Sequence, residues 1–352
     1  MTSPRWMIYG ANGYTGTLVA REAVRRGQRP VLAGRSADKV AAVARELDLP
    51  TAAFDLADGA AVARALEGIE AVVNAAGPFV HTVEPMIRGC LAVGASYLDI
   101  TGEIPVFQTT FSFDGPAMER GVCLMSGVGF DVVPTDCMAR YVAEQLPDAT
   151  TLDIAFAAIG RPSAGTAKSA LEQLPAGNYV RRDGDLVATS EHAIRTVRFS
   201  DRERTVVSIP WGDLETAYRS TGIRNITTWM AQPARVARLV QLGAPVARRL
   251  VALPAIRRAL SRFVERSVKG PDEAARAAGK SLVWVRATNP RGDEREAWLE
   301  TVEGYAFTAV SAVKAALRVL EQRPRGALTP SIAFGPDFVL EVEGTRRLDA
   351  LP

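Results

Sequence analysis

The chain is poor in the residues that most metal and hydrolytic chemistry needs. Its 352 residues include three cysteines and two histidines. Cys90, Cys123 and Cys137 stand apart in apolar surroundings and form no Cys-x-x-Cys pair, which disfavours zinc sites and disulfide frameworks. Reduced, buried thiols in a cytoplasmic protein are the expectation. There is no His-Glu-x-x-His run and no serine-centred elbow, so hydrolase and zinc chemistry find no signature and no metal is expected. Net charge is only +3, which does not point to a nucleic-acid binder. No apolar run reaches the ~20 residues that span a bilayer. The first strand is expected to start too near Met1 to leave room for a signal peptide. Repeats and low-complexity tracts are absent as well.

What is present begins at once. A short apolar run, Trp6-Met7-Ile8-Tyr9, leads into Gly10-Ala11-Asn12-Gly13-Tyr14-Thr15-Gly16, and a helical pattern follows over Thr17–Arg26. That reads as strand, tight turn and helix N-terminus. Glycine permits the turn and lets a pyrophosphate approach the backbone. The helix N-terminus offers free N–H groups and a positive dipole end to that anion. The G-x-x-G-x-x-G spacing is weak alone, but a second strand over Pro30–Ala33 completes the βαβ context. It ends in Gly34-Arg35-Ser36, where an NAD binder usually carries an acid for the ribose. A guanidinium and a hydroxyl suit a 2′-phosphate, so NADP is favoured; an ordinary surface arginine would look the same.

The first part alternates strands and helices. Helices are expected at Ala37–Leu47, Gly59–Glu67 and Val83–Val93. Strands are expected at Arg5–Tyr9, Thr51–Phe54, Ala71–Asn74, Ser96–Ile100 and Val122–Ser126. Their continuous apolar runs fit a parallel sheet covered on both faces. Past Asp136 the strands alternate instead: Thr151–Ala157, Arg195–Phe199, Val206–Pro210, Ser281–Ala287 and Arg295–Val302. A helix resumes over Gly304–Leu320. The expected fold is α/β: a Rossmann doubly wound parallel sheet, then a second α+β domain with a mixed or antiparallel sheet and a helical insertion. The expected boundaries are 1–135 for the NADP-binding domain and 136–303 for the substrate domain, with 304–352 returning to the first.

The insertion, 225–270, is strongly basic. Nine lysines and arginines oppose Glu265 alone, giving the stretch +8 and leaving −5 on the rest of the chain. A solvated helical face over the cleft or a homodimer partner would explain it. So would a docking surface for an acyl-carrier protein, coenzyme A phosphates or an anionic membrane.

The motifs together resemble the saccharopine dehydrogenase-like oxidoreductases. They are the glycine turn, Leu32-Ala33-Gly34-Arg35, Val72-Val73-Asn74-Ala75-Ala76-Gly77-Pro78-Phe79, Tyr97-Leu98-Asp99-Ile100-Thr101-Gly102-Glu103 and Gly129-Phe130-Asp131-Val132-Val133-Pro134. Ala164-Gly165-Thr166-Ala167-Lys168-Ser169 and Leu328-Thr329-Pro330 resemble the branch that contains bacterial trans-acting enoyl reductases. The resemblance implies an NADP-dependent reductase acting on a small molecule. It places cofactor contacts at Gly10, Asn12, Gly13, Tyr14, Thr15, Gly16, Arg35, Ser36, Asp55, Ala75, Ala76 and Gly77.

Hydride transfer needs no protein nucleophile, but it needs a proton donor or acceptor. Tyr14, His81, Asp99, Asp131 and Lys168 are the candidates, each with a plainer alternative. Tyr14 could pack and bond a phosphate, and His81 could be a surface residue. Asp99, like Glu103, and Asp131 could cap turns. Lys168 could bind a carboxylate or phosphate, or simply face solvent. Three functions remain open: reduction of an enoyl thioester, reduction of an imine with Arg161 or Lys168 holding a carboxylate, and docking to a membrane or lipid surface through the basic helices.

Overall fold

The computed structural model describes residues 5–158, 162–189 and 192–351. It divides into two units. Unit 1 runs to Asp131 and regains Tyr305–Ala333; unit 2 holds Val132–Gly304 and the chain from Phe334 onward.

Unit 1 is a parallel sheet. Its strands are β1 (Trp6–Tyr9), β2 (Val31–Gly34), β3 (Thr51–Ala53), β4 (Ala71–Asn74), β5 (Ser96–Asp99) and β6 (Cys123–Met125), with a late strand, β15 (Gly326–Ala327). The order is β15-β6-β5-β4-β1-β2-β3, and every pairing is parallel. Helices α1 (Tyr14–Arg25), α2 (Ala37–Leu47), α3 (Gly59–Ala65), α4 (Val83–Val93), α5 (Ile104–Ser112) and α6 (Asp114–Arg120) connect them. All four residues of β1 are buried, as are those of β2 and β4. Strands covered on both faces leave no polar period, which is why they read as apolar runs. The order reverses between β1 and β4, so the loops after those two strands meet at the carboxyl edge where such sheets bind ligands.

Unit 2 carries α7 (Val133–Glu144), β7 (Thr151–Ala158), α8 (Ala164–Gln173), β8 (Asn178–Arg182), β9 (Asp185–Thr189), β10 (Ile194–Arg198), β11 (Glu203–Ser208), α9 (Asp213–Thr221) and β12 (Asn225–Ala231). Helices α10 (Ala234–Val251), α11 (Pro254–Ser267) and α12 (Glu273–Ala278) follow, then β13 (Lys280–Thr288) and β14 (Glu294–Val302). After α13 (Gly304–Gln322) and α14 (Pro330–Phe334), the chain adds β16 (Arg346–Leu348) to this unit's sheet. The sheet order is β10-β11-β12-β7-β13-β14-β16, with β8 and β9 branching from β12. Only β12 and β7 run parallel.

Two features differ from the expectation drawn from the sequence. Asn225–Ala231 is an inner strand, not the start of the basic helices. Its Ile226-Thr227-Thr228-Trp229 run is β-branched and aromatic, and all four residues are buried. The second difference is the tail: only Tyr305–Ala333 belongs to unit 1. The end of the chain is held in unit 2 by Arg346 on Glu300 at 2.8 Å and by the Tyr141 hydroxyl donating to Asp349 at 2.7 Å.

A largely buried ion pair lies in unit 2. Arg181 of β8 meets Glu215 of α9 at 2.9 Å, and its guanidinium lies 4.2 Å from the Tyr218 ring centre. Removing one partner of such a pair leaves an uncompensated buried charge. Arg181→Ala is therefore expected to cost about 3–5 kcal/mol of stability in urea denaturation; a loss under about 1 kcal/mol, typical of surface pairs, would show the pair to be solvated.

Candidate functional site

The glycine turn closes on itself. Gly10 has φ +82° and its N–H donates to the Ala33 carbonyl at 2.8 Å. A Cβ there would stand 2.8 Å from the Ala76 amide nitrogen, so the loops after β1 and β4 touch through bare backbone. A Cβ on Gly16 would come within 2.2 Å of the Gly10 carbonyl oxygen, so only glycine lets α1 start this close to the turn. Gly13 occupies the N-cap of α1 and, lacking a side chain, caps none of the helix's first amides. A helix N-terminus, its dipole end and a close backbone approach are the features that can cradle a diphosphate.

Beside it, β2 ends at Gly34, and Arg35 and Ser36 follow. Arg35 is exposed and makes no hydrogen bond or ion pair among the described residues. Ser36 is the N-cap of α2, yet its hydroxyl caps no amide. The Asn12 side chain lies over Gly34, 3.0 Å from where a Cβ would be. At the end of β3, Asp55 is exposed, with one oxygen accepting the Ala57 N–H at 3.0 Å. The Tyr9 hydroxyl donates to the Phe54 carbonyl, and burial first, then the Asp55 charge, push it up to about 12. Ala75 and Ala76 are half-buried and Gly77 is exposed.

Behind these loops lies a buried polar hub. Asp99 is fully buried and its carboxylate accepts four hydrogen bonds. Two come from the Thr101 and Gly127 amides, each at 3.0 Å; two come from the Tyr97 hydroxyl at 2.8 Å and the Ser126 hydroxyl at 2.7 Å. Burial pushes the carboxyl up to about 6 against those four bonds, which favour the anion. Asn74 joins the same network through Tyr97 and Thr82, and accepts the Ala76 amide. Glu103 accepts the Phe79 and Val80 amides at 3.0 and 3.1 Å, pinning the loop after β4. Sequence reasoning left Tyr97, Thr82, Thr308 and Ser311 unassigned. The last two lie on α13, where Thr308 accepts the Phe130 amide and Ser311 donates to the Val128 carbonyl. The i, i+3 spacing of Thr308 and Ser311 was the available signal.

The remaining candidates are scattered. Tyr14 opens α1 with its ring edge-on to Tyr305, centroids 5.0 Å apart. Asp131 is half-buried against Gly102; burial first and the Glu103 charge second push its carboxyl up to about 7. His81 is exposed at the end of the short turn Phe79–His81. Lys168 sits in unit 2 on α8, paired with Glu265 of α11 at 3.2 Å. Arg161 lies outside the described residues.

Residues 6–120 match the family model "Saccharopine dehydrogenase NADP binding domain". Over this domain the chain is similar to the saccharopine dehydrogenase-like oxidoreductases. The family's NADP-binding domain indicates NADP as the cofactor, and the cradle, Arg35 and Ser36 fit it. Among curated relatives, the human saccharopine dehydrogenase-like oxidoreductase is 28% identical over 173 residues, 44% of this chain and 40% of its own length. A trans-acting enoyl reductase of Mycobacterium ulcerans is 24% identical over 215 residues, 58% of this chain and 48% of its own. The chain thus spans less than half the length of the curated relatives it matches. Saccharopine dehydrogenase (L-Glu forming) of Saccharomyces cerevisiae shares the fold, with a TM-score of 0.66 over 96% of both chains at 11% identity.

Asp99 gives the NADP-binding domain a pH signature. The carboxyl holds its proton more tightly folded, near 6, than unfolded, near 3.8. Its contribution to stability is therefore highest at low pH and falls as pH rises from about 4 to about 6. Asp99→Asn removes this slope. The stability of the native protein relative to the variant is expected to drop by on the order of 3 kcal/mol between pH 4 and 7 in urea titrations. A constant difference would show that the carboxyl titrates as it does in water.

Proposed function

We propose that the chain is an NADPH-dependent reductase of an activated carbon–carbon double bond, with an enoyl thioester as the substrate class. The observation that carries the cofactor half is the unpartnered Arg35 guanidinium beside the uncommitted Ser36 hydroxyl at the end of β2. Together they match the charge and hydrogen-bonding demand of a 2′-phosphate. The substrate half is supported by the motif branch and by the name of the mycobacterial relative. Three buried free thiols support a reducing, cytoplasmic setting.

When bound, the nicotinamide supplies the hydride. In this reading the Gly10–Gly16 turn and the Tyr14 and Thr15 amides hold the diphosphate. The Ala75-Ala76-Gly77 backbone would let the cofactor come close to the loop after β4, and Asp55 would contact its adenine end. Asp99 and Glu103 act as positioning residues, because their oxygens are taken up by loop amides and hydroxyls. Asp131 is the proton donor of choice: burial and the nearby Glu103 keep its carboxyl protonated up to about pH 7. It stands at the carboxyl edge of the sheet, beyond β6, where the fold places reacting groups. Tyr14 lines the same edge. His81, on the exposed turn, and Lys168, paired with Glu265, are weaker donors.

Arg35→Asp is expected to weaken NADPH binding by about a hundredfold or more while changing NADH binding little, as measured by fluorescence titration; equal losses for both would sink the assignment. An NADPH-oxidation screen across enoyl thioesters, imines and keto acids tests the substrate. Turnover of imines with none of enoyl thioesters would replace the reading by an amino-acid or imine reductase. With the accepted substrate, kcat is expected to fall above about pH 7 as Asp131 loses its proton, and Asp131→Asn is expected to flatten that limb and lower kcat by about 100-fold or more. An unchanged limb in the variant would move the proton to another group.

A further inference from the structure

Helices α10 and α11 carry an apolar surface that their own unit leaves in water. Six of the eleven large apolar side chains exposed among the described residues lie between Val236 and Phe263, so the exposure is concentrated there. Leu239, Leu242 and Phe263 are 70, 79 and 65% exposed, the highest values of the set. The 14 residues of α11 bury no side chain fully. A helix draws most of its stability from packing an apolar face, so a pair left this bare is built for a partner.

Charge on the same surface says which partner. At about 100° per residue, Val236, Leu239 and Leu250 of α10 fall within about 60° of one another. Arg235, Arg238 and Arg249 form a second row of similar width beside them, with Leu242 among them. On α11, Arg258, Arg262 and Arg266 repeat at i, i+4 and i+8 and are all exposed. The stretch's one acid, Glu265, is taken by Lys168 at 3.2 Å, and Arg257 reaches Glu172 at 3.5 Å. These pairs join α11 to α8 and leave the outer charge uniformly positive.

We propose that α10 and α11 form a docking surface for an anionic phospholipid membrane. Rows of leucine and arginine side by side match the boundary between acyl chains and phosphates. The leucines and Phe263 enter the upper acyl layer, and the guanidiniums snorkel to the lipid phosphates. An acidic protein would meet the arginines and leave most of the leucines in water. The contact is one of lying on the surface, since no helix of the described residues is long and apolar enough to cross a membrane. The proposal stands independently of the reductase reading.

The test is flotation of the full chain with vesicles of equimolar phosphatidylcholine and phosphatidylglycerol. Binding is expected to exceed that to pure phosphatidylcholine by about tenfold or more and to weaken as strongly in about 0.5 M salt. Leu239→Asp with Leu242→Asp is expected to reduce it at least about tenfold, with the thermal melt and NADPH binding unchanged because both side chains already face water. Equal binding to both vesicle types, no binding to either, or full binding by the double variant overturns the proposal. So does a solution dimer that the double variant splits, which gives the face to a second copy, or an acidic acyl-carrier protein bound in the absence of vesicle binding. NADPH titration of the same samples separates failure of docking from failure of the cofactor reading.

Discussion

A single carboxylate with no route to water organises the carboxyl edge of unit 1. Asp99 draws in the amides of Thr101 and Gly127, and with them the loops after β5 and β6. The Tyr97 hydroxyl passes the network on to Asn74, which turns the loop after β4 toward Gly10. Each loop would be free to wander if its amides bonded to water instead. Burying a carboxylate is costly, and the four donors offset that cost only if the loops after β5 and β6 sit in register with the Tyr97 hydroxyl. The cradle therefore comes preorganised, because its shape is a condition of satisfying a charge behind it.

The same network bears on the proposed roles of the acids. Glu103 is spent on the Phe79 and Val80 amides, and Asp99 on its hub. Asp131 is set apart by its surroundings: burial first, and the Glu103 charge second, push its carboxyl up. Pairs of acids whose environments differ are a common way for a fold to set one of them apart for proton transfer, the role proposed for Asp131.

Much of unit 1 was legible because its signals are local. The strands are apolar runs, α2 and α4 fall where their periodicity puts them, and the glycine turn marks its own place. Arg35 was legible as a missing acid. Tyr305, Thr308 and Ser311 were not, because they reach the site from a helix far along the chain (Phe130 and Thr308 are 178 residues apart), and only folding brings them near. Asp99 was visible as a residue and hidden as a role: a strand-end acid looks the same whether it meets substrate or four donors. In unit 2, β12 was lost inside a stretch dominated by arginine periodicity, although its β-branched run was there to read. The hairpin β8–β9 has mixed exposure and offers no clean period.

The late strand β15 has a consequence for how the molecule comes into being. Residues through β6 leave the ribosome long before Gly326–Ala327, the strand that pairs with Cys123 and Leu124. During that interval the growing chain carries a nearly finished parallel sheet with an open apolar border, the kind of edge that invites pairing with other chains. An N-terminal fragment ending near Asp131 would keep that border permanently, and it would lose the α13 contacts to Val128 and Phe130 as well. The cofactor domain is thus a discontinuous object: neither nascent synthesis nor a simple truncation can complete it until the whole of unit 2's inserted stretch has been made.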